Sequence, residues 1–186
     1  MIPVRVSAAF VILLIVAVPL VESCGPEATD DRSAARFAAF TDSVTVPETP
    51  GNTYDAATGD ISPWWDHSMS ETPSRLFIEP RPGGGFIELF NDEGDGALHA
   101  TVTVAERGKR LRFEGPLGLS GMAVTLVTTY DFRALGPDST VLTYTVHMSG
   151  ELPEGLPDVV RKTWHHFMAE RFQPYIESGR HRDSVQ

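Results

Sequence analysis

Cysteine is nearly absent from these 186 residues. Cys24 stands alone, which excludes an internal disulfide and any zinc site built on several thiolates. Lysine is almost as scarce, confined to Lys109 and Lys162 among the 15 basic residues. No cluster of basic residues occurs, and with 25 Asp+Glu the formal net charge is -10. A phosphate backbone is bound by grouped Lys and Arg, so this balance argues against nucleic acid as a partner. There is no internal repeat. No nucleophile-elbow pattern surrounds any serine, and Gly83-Gly84-Gly85 joins two strand-like runs with no helix behind it, which rules out a phosphate loop. What remains is 41% hydrophobic and 22% charged residues, the composition of one ordinary globular domain with a short extension.

That extension is the N-terminus. A lone Arg5 precedes a 16-residue apolar run, Val6 to Val21, broken only by Ser7 and Pro19, and polar Glu22-Ser23 follows. A charged start, an apolar middle and a small-residue exit make residues 1–23 a secretory signal. Val21-Glu22-Ser23-Cys24 resembles a bacterial lipobox, in which Cys24 is lipidated and anchors the protein to the membrane. Glu22 departs from that pattern, so ordinary cleavage with a free thiol stands beside it, and an uncleaved anchor is a third reading. Each puts the domain outside the cytoplasm, secreted or in the cell envelope. Residues 24–38 read as a linker, with a helical turn over Arg32 to Ala39.

From residue 39 the pattern changes. Val44 and Val46 alternate with polar neighbours in a short strand ended by Pro47. Thr49-Pro50 opens a short helix, and Asp60 to Trp65 suggests a second. Six further strands follow, at Arg75–Glu79, Phe86–Phe90, Leu98–Val104, Leu111–Phe113, Val124–Phe132 and Leu142–Met148, each with period-two alternation. The last element is a helix in which Leu156, Val160, Trp164, Phe167 and Tyr175 share about 100° of arc. Pro174 should kink its end, Gly179 closes it, and 180–186 read as a tail. This order is α+β: an antiparallel sheet curled around one long C-terminal helix.

Several segments carry a resemblance. They are Val44-Thr45-Val46-Pro47, Trp64-Trp65, Pro82-Gly83-Gly84-Gly85-Phe86, Arg110-Leu111-Arg112-Phe113, Thr140-Val141-Leu142-Thr143 and Ser149-Gly150. In this order and spacing the chain resembles the SRPBCC or START-like helix-grip superfamily. Within it, the likeness is to the branch named after the activator of heat-shock-protein ATPase, also called polyketide cyclase/dehydrase-like. The resemblance covers about residues 39–179. It implies a curved sheet gripping the long helix, with an elongated cavity between them. Members bind lipids, sterols, polyketides or other apolar ligands, and some catalyse cyclisation or dehydration. The fold alone does not choose among these.

The candidate walls of such a cavity are Trp64, Trp65, Phe86, Tyr130, Tyr144, Trp164 and Phe167. Two adjacent tryptophans cannot both face one core from a regular element, so one is expected as a packing anchor and the other at the cavity mouth. Glu88 shares a face with Phe86 and Phe90. Because Ile87 and Leu89 offer the other face an equally apolar set, the Glu88 face is expected to be the solvated one. Arg171 falls inside the apolar arc of the last helix. It is expected to lay its stem on apolar surface with its head in water; the alternative is a partner in a ligand carboxylate or in Glu88. His165 and His166 point about 100° apart on a helix, and His67, His99 and His147 have no ligand-type spacing, so no metal is expected. The resulting expectation is an exported binder of a small apolar or amphipathic ligand, with Arg171 as polar anchor and no cofactor. A cyclase or dehydratase using Glu88 or His99 for proton transfer is the first alternative. A chaperone-linked interaction module is the second, and export argues against it.

Overall fold

The structure is a computed structural model and describes residues 36–185. The signal, the lipidation motif at Cys24 and most of the linker lie outside the described residues. Strand β1 spans Arg36–Val46, so the expected helical turn does not extend over residues 36–39. Arg36 to Ala39 instead pair with Gly150 to His147. A ladder along an open strand edge satisfies backbone N–H and C=O groups that one isolated helical turn leaves mostly unpaired. The domain therefore starts before residue 39.

Helix α1, Pro50–Ala56, begins as expected: Pro50 sits at its first position and Thr49 Oγ1 accepts from Asn52 N at 3.3 Å. The second short helix does not form. Gly59–Asp60 make a two-residue strand β2 against β3, Arg75–Ile78. Ile61 N donates to Leu76 O at 3.0 Å and Leu76 N donates to Ser62 Oγ at 2.9 Å. With its backbone claimed by β3, the chain turns once, Trp64 and Trp65 N–H both reaching Ile61 O.

The remaining strands are β4 Gly85–Leu89, β5 Gly96–Glu106, β6 Arg110–Gly115, β7 Val124–Gly136 and β8 Ser139–Gly150. All eight form one antiparallel sheet in the order β1-β8-β7-β6-β5-β4-β3-β2. Besides a register shift at Ala134/Gly136 beside the β7–β8 turn, two irregularities along β5 curve it. One lies between β4 and β5, where Phe86 pairs Ala100 but Ile87 pairs Leu98, and His99 is the extra residue. The other leaves Thr103 extra opposite β6. Such bulges increase twist and bend the strand that carries them.

The C-terminal helix runs as α2, Leu156–His165, then a π-helical stretch His166–Phe172, then α3, Gln173–Glu177. Pro174 lacks the N–H that would bond back to Glu170, and the helix meets it with a widened stretch rather than a simple kink. The wider turn advances the helix face by about one residue. Phe172, not Arg171, consequently faces the core with Trp164, Phe167, Met168, Tyr175 and Ile176. Helical periodicity puts Arg171 in the apolar arc; the π stretch rotates it out.

Nor is the segment after Gly179 a tail. Arg180–Val185 form a 3-10 turn, and His181 within it is buried. His181 Nε2 and Arg182 Nη2 both donate to Glu48 Oε2, at 3.1 and 3.0 Å. Glu48, itself buried, also accepts from Thr49 N and Asn52 Nδ2. Among the described residues no helix is long and apolar enough to cross a membrane.

Candidate ligand-binding site

Between the sheet and the C-terminal helix lies a cavity of about 330 Å³. Phe86 and His99 line it from β4 and β5, Leu126 from β7, and Val160, Thr163, Trp164 and Phe167 from the helix. The rest of the wall comes from two irregular segments: a strap of Trp65, His67, Ser68 and Met69, and the 3-10 turn Leu117–Leu119. Leu117 adopts φ 52°, a left-handed conformation that costs a bulky residue about 1–2 kcal/mol. Its side chain is nevertheless buried against the cavity. A second depression, of about 360 Å³, between α1 and the C-terminal turn is edged largely by polar and charged groups such as Asn52, Asp55, Asp60 and Arg182. The first cavity is the one built for apolar contents.

Trp65 organises its wall. Its ring stacks on Phe167 and meets Phe86 and Trp164 edge-on, with centroids 5.0 and 5.7 Å away. Trp64 does not line the cavity. It turns to the opposite side, donates Nε1 to Ala56 O at 3.1 Å and packs on Phe172. Tyr130 and Tyr144 are also not lining groups. Tyr130 is fully buried behind Trp164 and Phe113, and burial pushes its hydroxyl well above the usual tyrosine range. Tyr144 sits beneath the helix with its hydroxyl on Asp42. Burial, with the Asp42 carboxylate, pushes it up to about 12.

The solvated face expected for Glu88 is a further correction. Phe86 and Glu88 point inward, Glu88 with no exposed surface, while Ile87 and Leu89 are only partly covered. Three donors make burial of this carboxylate tolerable. Met69 N and His99 Nε2 reach Oε2 at 2.9 and 2.8 Å, and Ser70 N reaches Oε1 at 2.8 Å. Burial raises the Glu88 pKa, but the two backbone amides and His99 outweigh it and hold the group below its ordinary value. His99 reaches this partner only because of the β5 bulge, which makes it buried together with its neighbour Ala100. Strict alternation assigns it to the polar face, opposite Leu98, yet Leu98 is the exposed one.

Arg171 lies outside the cavity. It is partly exposed, and its Nε reaches Asp66 Oδ2 at 3.1 Å. Asp66 is the hub of a cluster joining strap to helix: His166 Nε2 lies 2.9 Å from Oδ2, and His67 Nδ1 lies 3.0 Å from Oδ1. His166 Nδ1 in turn meets Glu170 at 2.9 Å. Asp66, His67 and His166 bring their ligand atoms within 4.8 Å of one another, a grouping that sequence spacing hides because it spans 100 residues. A cation there would compete with the Arg171 guanidinium for the same carboxylate. The strap is thus pinned twice, through Asp66 to the helix and through the Met69 and Ser70 amides to Glu88.

No family model and no curated protein matches the sequence. Solved structures do. The protein of unknown function SA2116 from Staphylococcus aureus aligns with TM-score 0.55 at 11% identity, over 78% of this chain and 97% of that one. Ara h 8.0201 aligns with TM-score 0.54 at 14% identity, over 77% and 99%. A protein from Rhizobium leguminosarum aligns with TM-score 0.52 at 14% identity, over 78% and 97%. At these identities the likeness is one of fold. The chain has the helix-grip fold, an eight-stranded curved antiparallel sheet closed by a C-terminal helix.

Proposed function

We propose that the protein binds a small hydrophobic or amphipathic ligand between the sheet and the C-terminal helix. The observation that carries this reading is the cavity itself, about 330 Å³ and walled mainly by apolar groups such as Trp65, Phe86, Trp164 and Phe167, with His99, backed by Glu88, among its few polar lining residues. Ligand pockets typically run from about 300 to 1,000 Å³ and are mostly apolar with few placed polar groups. The volume here suits a small molecule better than a two-chain lipid. The narrower family branch suggested by Val44-Thr45-Val46-Pro47 and Pro82-Gly83-Gly84-Gly85-Phe86 stays part of this proposal. Native mass spectrometry of protein purified from its own cells tests it: a co-purified small molecule, lost from a Trp65→Ala variant that remains folded, is expected. Ligand-free protein that also takes up no apolar probe overturns it.

A second reading, a cyclase or dehydratase type of enzyme, is favoured by one observation: His99, backed by Glu88, lines the cavity where a proton-transfer group has to be. Incubation with the recovered ligand separates the two. Loss of water from that ligand supports the enzyme, and recovery unchanged supports the binder.

The export reading rests on residues 1–23 and Cys24. Intact mass of the mature protein tests it: a diacylglycerol-type mass on a chain starting at Cys24 supports the lipoprotein, an unmodified chain starting there supports plain export, and a chain retaining Met1 opposes both.

A further inference from the structure

The Glu88–His99 pair specifies what kind of polar group a ligand brings, an inference that rests on the binding role proposed above. Glu88 is an acceptor on both oxygens, already receiving Met69 N, Ser70 N and His99 Nε2. An ionised carboxylate 2.8 Å from Nε2 requires the proton on that nitrogen. The neutral imidazole then carries its lone pair on Nδ1. Among the described residues no protein group engages His99 Nδ1, and it is not among the enclosed, unpartnered atoms such as Nδ1 of His181. His99 itself lines the cavity. The other polar side chains of the wall are engaged, Ser68 donating to Ser70 O, Thr163 to Val159 O and His67 meeting Asp66, so His99 Nδ1 is the unengaged acceptor the site presents.

Charge narrows the ligand further. No Lys or Arg lines the cavity: Arg161 and Lys162 of α2 are exposed outside it, and Arg171 is engaged by Asp66. A ligand carboxylate would meet the Glu88 charge across the imidazole with no cation to offset it. A neutral O–H meets the acceptor with no new charge. We propose that the cavity selects neutral hydrophobic molecules bearing a hydroxyl, a phenol or alcohol donating to His99 Nδ1, over their ethers and over carboxylates of the same shape.

The experiment uses isothermal titration calorimetry at about pH 8, with para-hexylphenol, its methyl ether para-hexylanisole, and para-hexylbenzoate. The phenol is expected to bind roughly tenfold tighter than the ether, the size expected when a buried acceptor gains or lacks its donor, with the benzoate weakest. In His99→Phe, checked for folding by circular dichroism, the phenol's advantage over the ether is expected to vanish. Nitrogen-15 NMR of the wild type needs no variant: His99 is expected to show a protonated Nε2 and an unprotonated Nδ1. Equal binding of phenol and ether by the wild type, tightest binding of the benzoate, or a protonated Nδ1 overturns the hydroxyl proposal while leaving the cavity reading intact. Binding of none of the three overturns both.

Discussion

Trp65 stacks on Phe167 with ring centroids 3.8 Å apart and planes inclined by 21°. One ring comes from the strap and the other from the helix, so the contact closes the cavity as well as filling it. Trp65→Ala removes a ring that touches four aromatic neighbours, Trp64, Phe86, Trp164 and Phe167. Truncation of a buried Trp costs about 3–5 kcal/mol, with the low end suiting a site already beside a cavity. For a chain of this size that means a fall in Tm of about 2–4 °C per kcal/mol. Trp64→Ala is expected to lose comparable stability, since Trp64 anchors the far side against Phe172. Only Trp65→Ala should also weaken uptake of an apolar probe, by at least about tenfold. Calorimetric melting and titration of both variants check this, and equal losses of probe affinity would contradict the assignment of Trp65 as the lining residue.

The strap-to-helix cluster titrates from both ends. Hydrogen bonds to Glu170 and Asp66 raise His166 above its ordinary value of 6.5. Its contribution is therefore complete below that value and lost as pH rises through the raised one. Asp66 behaves oppositely: burial raises it, but His166, His67 and Arg171 bring it below 3.8. Its contribution is complete above that value and lost as pH falls through the lowered one. The strap should be held most firmly between the two ordinary values. Amide hydrogen exchange in residues 65–70, after correction for the intrinsic rate, is expected to quicken as pH rises through the raised His166 value. His166→Gln should flatten that alkaline limb; an unchanged limb would assign the strap's closure to the Trp65 stack alone.

Glu48 ties the two ends of the domain together, and the tie is acid-labile. Burial raises its pKa, but Thr49 N, His181, Asn52 and Arg182 together lower it from 4.5 to about 2. A depressed carboxylate stabilises the fold above its unfolded pKa and loses that contribution as pH falls through the folded one. Acid unfolding should thus show a limb between about pH 4.5 and about pH 2 that Glu48→Gln removes. At neutral pH the same variant is expected to cost about 1–3 kcal/mol, because His181 and Arg182 lose a charged acceptor. Urea melts of both proteins across this range provide the measurement.

Much of the fold was legible in the sequence because its apolar positions keep a period of two from Val124 to Phe132 and from Leu142 to Met148 and its helix keeps 3.6 up to Trp164. The errors sit where one residue is added to a regular repeat. His99 is the extra residue of a β5 bulge, so alternation placed it and Leu98 on the wrong faces. Arg171 lies within a π stretch, so helical periodicity placed it in the core. The inward face of Glu88 was ambiguous for a different reason: β4 is apolar on both sides, and it takes the amides of Met69 and Ser70, 19 and 18 residues away, with the bulged His99, to make a buried carboxylate sustainable. Asp66 and His166 lie 100 residues apart, and no local pattern joins them. The aromatic walls Phe86, Trp164 and Phe167 were readable because apolar side chains in regular elements follow the period.

The bulge that delivers His99 depends on a glycine across the sheet. Gly115, at the end of β6, lies against the backbone of His99 and Ala100. A Cβ there would stand 2.4 Å from His99 O, 2.6 Å from Ala100 Cα and 2.9 Å from Ala100 Cβ. The first two obstacles belong to backbone, which cannot swing away as a side-chain tip does. Gly115→Ala must therefore push β5 away at the bulge, lengthening the 2.8 Å contact between His99 and Glu88. Overpacking of this kind costs about 1–3 kcal/mol, but the telling effect is on the imidazole. The wild-type His99 Nε2 proton, held on the Glu88 carboxylate, is expected to exchange slowly with water and to give a sharp downfield resonance. In Gly115→Ala that resonance should broaden or vanish, while Gly118→Ala, where a Cβ meets nothing within 4 Å, leaves it unchanged. A Gly115→Ala protein with wild-type stability and an unaltered His99 resonance would show that the bulge holds its shape without this glycine.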